Sequence, residues 1–96
     1  MFSIKENTIE LEAAIDKAAP DVLLMDMLLS GSDGREICRR LKSNPGYAKI
    51  PLIMISAHPQ ARTECLEAGA DLFLAKPFEM TDLFDTVTAA LAKVGK

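Results

Sequence analysis

An α/β fold with a doubly wound parallel sheet is the architecture this sequence predicts, and three observations predict it. Three short apolar runs, at Val22–Met25, Ile50–Ile55 and Leu72–Leu74, are bounded by turn-forming residues, the pattern of strands buried on both faces. Stretches with helical spacing separate these runs, and the short connections between them imply right-handed crossovers. Each run closes on a different polar residue: Asp26, Ser56 and Lys76.

Each element has its own signals. Phe2 and Ile4 alternate with Ser3 and Lys5, the pattern of a strand or its remnant. Asn7 with Glu10 resembles a capping box, and Leu11, Ala14, Ile15 and Ala18 keep helical spacing up to Pro20. The first clear strand stops at Asp26, and Ser30, Gly31, Ser32, Asp33 and Gly34 form a turn-rich exit. Asp33 and Glu36 open a second helix whose apolar stripe is Gly34, Ile37, Cys38 and Leu41; Ser43, Asn44, Pro45 and Gly46 break it. Pro51 interrupts the second run where a strand tolerates it, at its start. Pro59 suits the first turn of a third helix, which passes Cys65 and Leu66 and stops near Gly69. Thr81 caps a fourth helix with the stripe Leu83, Phe84, Val87, Leu91 and Val94. The pattern is three clear strands, a remnant of a fourth and four helices, in one domain over residues 1–96.

Composition excludes several classes. The 96 residues suit one small domain, and 49% hydrophobic residues with mean hydropathy +0.12 describe a globular chain. A net charge of −3 gives no basic surface for nucleic acid, and Arg39, Arg40 and Lys42 read as a solvated helix face. Cys38 and Cys65 lack metal-ligand spacing and read as buried free thiols in a reducing compartment. No stretch reaches membrane-spanning length and no signal-peptide pattern opens the chain, so a cytoplasmic location is expected, without membrane contact.

In a parallel sheet the carboxyl ends of the strands share one edge, where ligands bind. Asp26, Ser56 and Lys76 therefore converge on one rim: a carboxylate nucleophile, a hydroxyl donor and an ammonium able to pair with Asp26 or steady an anion. That set suits a phosphoryl group. The bland reading is a structural Asp–Lys pair with a bystander serine.

The segments P-D-V-L-L-M-D, I-M-I-S-A and A-G-A-D-L-F-L-A-K-P-F carry a resemblance over residues 8–92. They resemble the receiver domains of two-component response regulators, chemotaxis-regulator-like modules with a flavodoxin-like fold. The resemblance implies that Asp26 accepts a phosphoryl group, that Ser56 is the switch hydroxyl and that Lys76 is the essential lysine. It implies a cis peptide before Pro77 and a rotating aromatic at Phe73. Leu28, Ala57 and His58 fall where the family flanks the site. The donor would be a histidine kinase or phosphotransfer protein. A downstream protein target would read the face that the family forms from its fourth helix, last strand and last helix, here the helix through Cys65, the strand ending before Lys76 and the helix after Thr81. An enzyme is not expected.

The sequence departs from the family in two places. Ser30 stands where the family usually has proline. At the front, the residues before Asp26 leave no room for the family's first strand, its acidic pair and its first helix, a deficit of about 30 residues. The family holds Mg²⁺ with that pair, the acceptor and a backbone carbonyl, here that of Leu28. With the pair absent, Mg²⁺ binding is doubtful and phosphorylation of Asp26 is expected to be weak. In the family's strand order, 2-1-3-4-5, the missing strand leaves an apolar edge. A second copy covers it, making a homo-oligomer, or the remaining strand closes up, or the sequence is a fragment started at an internal Met; the fragment is the expectation. A degenerate receiver that docks partners without phosphorylation is the alternative. A haloacid-dehalogenase-like phosphatase is remote, because Leu28 stands where that class needs a second acid.

Overall fold

The computed structural model describes residues 2–6, 11–30 and 32–93. In chain order it holds β1 (Phe2–Glu6), α1 (Leu11–Ala18), β2 (Leu23–Ser30), β3 (Ser32–Asp33), α2 (Gly34–Lys42), α3 (Pro45–Ala48), β4 (Leu52–Ser56), α4 (Arg62–Glu67), β5 (Leu72–Ala75) and α5 (Met80–Lys93). A 3-10 turn at Pro59–Ala61 leads into α4, so Pro59 starts that tighter turn instead of the α-helix itself. The main sheet runs β1-β2-β4-β5, with every neighbouring pair parallel.

The apolar runs form strands because each must bury both faces. Along β2 and β4, Leu23, Met25, Leu52 and Met54 enter one core with Leu11, Ile15, Ile37, Cys38, Leu41 and Cys65 from α1, α2 and α4. Their neighbours Leu24, Ile53 and Ile55 enter a second core with Leu74, Leu83 and Ala90, where α5 packs. The alternation follows from the two-residue period of a strand. Met54 and Ile53, adjacent in sequence and opposite in facing, are both fully buried.

Several boundaries differ from the sequence reading, each for a local reason. The strand expected to stop at Asp26 runs on to Ser30, because Met27, Leu28 and Leu29 continue the apolar run and pair back with β3 (Leu28 with Asp33, Leu29 with Ser32). The expected turn-rich exit is therefore partly a two-stranded hairpin. The Ser43–Gly46 breaker does end α2, but it also starts α3: the Asn44 side chain accepts the Gly46 N–H at 2.9 Å and Pro45 occupies the first turn. The last helix begins at Met80, not after Thr81; Asp82 accepts the Glu79 N–H at 3.1 Å, placing the capping acid inside the helix. Phe84, expected in the apolar stripe, is 59% exposed, because the buried face of α5 follows Leu83, Val87 and Ala90. α4 ends where expected, near Gly69, whose φ of +112° is a conformation other residues rarely adopt. Asn7, Glu10 and Val94 lie outside the described residues.

At the front, the remnant is a strand. β1 pairs directly with β2, with Phe2, Ser3 and Ile4 level with Leu23, Leu24 and Met25. The described residues place the remaining strand directly beside β2. Among the described residues no helix is long and apolar enough to cross a membrane.

Candidate functional site

The rim at the carboxyl ends of β2, β4 and β5 is assembled by register. Asp26 is level with Ile55, the last ladder pair between β2 and β4, so it stands where the partner strand ends although its own strand continues. Ser56 is level with Ala75, and Lys76 follows. The Lys76 N–H donates to the Ser56 carbonyl at 2.8 Å, tying the lysine to the serine's strand. The peptide bond from Lys76 to Pro77 is cis.

The lysine ammonium closes the site. Lys76 Nζ donates to Asp26 Oδ2 at 2.6 Å, with the two side chains 44% and 39% exposed. A pair so open to water contributes little to stability and stays accessible to an incoming anion. Ser56 is buried, 4% exposed, and its Oγ accepts the His58 N–H at 3.1 Å. Ala57 and His58 are exposed on the loop that follows. Phe73, level with Met54 on β5, is half-buried against the first core. Leu28 lies in the hairpin, opposite Asp33. The structure thus brings Asp26, Ser56 and Lys76 to neighbouring strands on one rim, with Asp26 and Lys76 in direct contact.

Sequence reasoning missed a support beneath the acceptor. A side-chain carbon at Gly34 would come within 2.5 Å of the Asp26 carbonyl oxygen and 2.7 Å of that of Met27. Only glycine lets the start of α2 settle onto the backbone that carries the carboxylate. The residue was visible in the turn-rich exit, but its role depends on a close approach that no spacing rule shows.

Mg²⁺ is bound by receiver domains in general, so the donor set bears testing. Mg²⁺ wants several hard oxygen ligands in octahedral array. Among the described residues no group of three or more His, Cys, Asp or Glu side chains gathers around one point. Asp26 is instead joined to an ammonium, and the Leu28 backbone belongs to the hairpin ladder. The described donors do not fit the ion.

Comparison with known proteins identifies the family. The family model described as the response regulator receiver domain matches residues 3–88. The chain is 37% identical over 92 residues to the phosphate regulon transcriptional regulatory protein PhoB of Pseudomonas aeruginosa, covering 94% of this chain and 40% of that protein. To the PhoB of Rhizobium meliloti it is 36% identical over 86 residues, covering 88% of this chain and 38% of that protein. The chain therefore spans about two fifths of these relatives, the 40% and 38% just given. Among solved structures, a response regulator of Chloroflexus aurantiacus superposes with a TM-score of 0.78 at 38% identity, covering 86% of this chain and 70% of that one.

Proposed function

Because the chain belongs to the response regulator receiver family, the signalling and generally non-enzymatic modules of two-component systems, we propose that Asp26 is its phospho-acceptor. The observation that carries the reading is the 2.6 Å contact between Lys76 Nζ and Asp26 Oδ2 on the rim that also holds Ser56. A histidine kinase or phosphotransfer protein would supply the phosphoryl group. The Asp26 carboxylate would take it as an acyl phosphate, Lys76 would pair with one phosphoryl oxygen, and the Ser56 hydroxyl would donate its O–H to another. Phe73, half-buried on β5 and level with Met54, would follow Ser56. Leu66 on α4 and Met80 and Phe84 on α5 are exposed apolar residues on the elements a protein target would read.

Phosphorylation is proposed to be weak, since the described donors give Asp26 no metal set. The same observation favours a second reading, a docking module that works unphosphorylated. The test uses a phosphorylated histidine kinase or a small phosphodonor and intact-mass detection. Label of one phosphoryl group, cleaved by hydroxylamine and lost in Asp26→Asn, is the expected result. Label that persists in Asp26→Asn overturns the assignment. Partner binding unchanged by Asp26→Asn selects the docking module.

A further inference from the structure

Helices cover the two faces of the sheet unequally. α1, α2 and α4 pack on one face, whereas among the described residues α5 alone packs on the other. α5 leaves the rim after β5 and carries both Leu83 and Ala90 into the second core, so it runs back across the sheet against the strand direction. Right-handed crossovers set the strand order seen from each face. On the α5 face, a right-handed helix running this way turns each following residue toward β2 and away from the β5 edge. With Leu83 toward the sheet, Phe84, about 100° further on, leans to the β2 side, and Met80 and Leu91 fall on the same flank. Met80 and Phe84 are 60% and 59% exposed, two of the three exposed large apolar side chains among the described residues; Leu91 beside them is half-buried. Between Met80 and Leu91 the charged residues are Asp82 and Asp85, and both fall on other sides of the helix.

We propose that this flank of α5 seats a second copy of the chain, the two helices meeting antiparallel about a two-fold axis with Phe84 of each copy against Leu91 of the other. Removing Met80 and Phe84 from water drives the contact. Three features select a copy of this chain as the occupant. The strip is uncharged, so it meets itself without burying or opposing a charge, although the whole chain carries −3. A charged partner would find no counter-charge on it. A two-fold axis lets one patch serve both sides, and it sets the positive end of each helix dipole beside the negative end of the other. The contact lies on the β2 side of α5, turned away from β5, and does not depend on the role of Asp26.

The test is sedimentation equilibrium of the purified chain from about 1 µM to about 1 mM, the range in which a contact of one helix flank associates. The expected result is a mass that rises with concentration from 10.4 kDa toward twice that value. Phe84→Glu, and independently Met80→Glu, should weaken the association about tenfold or more, since each places like charges face to face across the axis. Phe84→Leu and Leu66→Glu should leave it within about threefold. All three positions are exposed, so the variants keep the fold, which urea unfolding checks. A chain that stays monomeric throughout overturns the inference and leaves the strip to another protein. A dimer unmoved by both Phe84→Glu and Met80→Glu, or one broken by Leu66→Glu instead, places the contact elsewhere and overturns it as well. No arm uses a phosphoryl donor, so failure here leaves the acceptor reading standing.

Discussion

Two lysine–aspartate pairs sit at opposite edges of the same sheet, each closed at 2.6 Å, and they do different work. At the amino edge, Lys42 at the end of α2 meets Asp71 just before β5. Its ammonium also donates to the carbonyls of Ala48 at 3.2 Å and Ile50 at 2.8 Å, so all three of its N–H groups have acceptors. The same Asp71 oxygen accepts the Leu52 N–H at 2.8 Å, which fixes the start of β4. The lysine stem lies against Gly69 at the end of α4. At the carboxyl edge, the Lys76–Asp26 pair is 44% and 39% exposed, against 13% and 27% for Lys42 and Asp71. Bond length does not separate a structural pair from a chemical one. Saturation of the ammonium and access of water do.

Breaking each pair in turn is the direct way to test the contrast. The largest effect is expected at the shielded edge. Asp71→Ala strands a largely buried ammonium and removes the acceptor for Leu52, and should cost about 3 kcal/mol in urea unfolding. At the open edge, Lys76→Met should change stability by less than about 1 kcal/mol, since exposed pairs are screened. It should nevertheless abolish labelling of Asp26. Equal stability losses at the two edges would remove the distinction.

A smaller effect checks the core that lies between the two edges. Burial pushes the Cys38 thiol up to about 11 from its ordinary 9.0, with Lys42 pulling the other way. The neutral thiol is favoured in the fold, so its contribution is full below pH about 9 and is lost as pH rises toward about 11. Unfolding midpoints should therefore fall with pH across that window more steeply in the natural chain than in Cys38→Ala, a comparison that cancels the lysines. Identical slopes would show that burial does not hold this thiol neutral.

The open edge was legible in the sequence and the shielded edge was not. Asp26, Ser56 and Lys76 each end an apolar run, and strand burial marks such runs without any knowledge of partners. Lys42 and Asp71 are separated by 29 residues and interrupt no pattern, so only the packed chain reveals them as a pair. The same divide explains the rest. The placement of β1 beside β2 depends on which edge is free, not on five alternating residues. The outward turn of Phe84 depends on which stripe of α5 meets the sheet, and two stripes one residue apart read alike. The β2–β3 hairpin was hidden because a glycine- and serine-rich stretch signals a turn equally well inside a hairpin and after a strand.

The backbone link from Lys76 N–H to the Ser56 carbonyl, 2.8 Å long, ties the strand that carries the hydroxyl to the residue that carries the ammonium, while the carboxylate comes from β2. An anion seated between them would join the carboxyl ends of three strands, β2, β4 and β5, at one point.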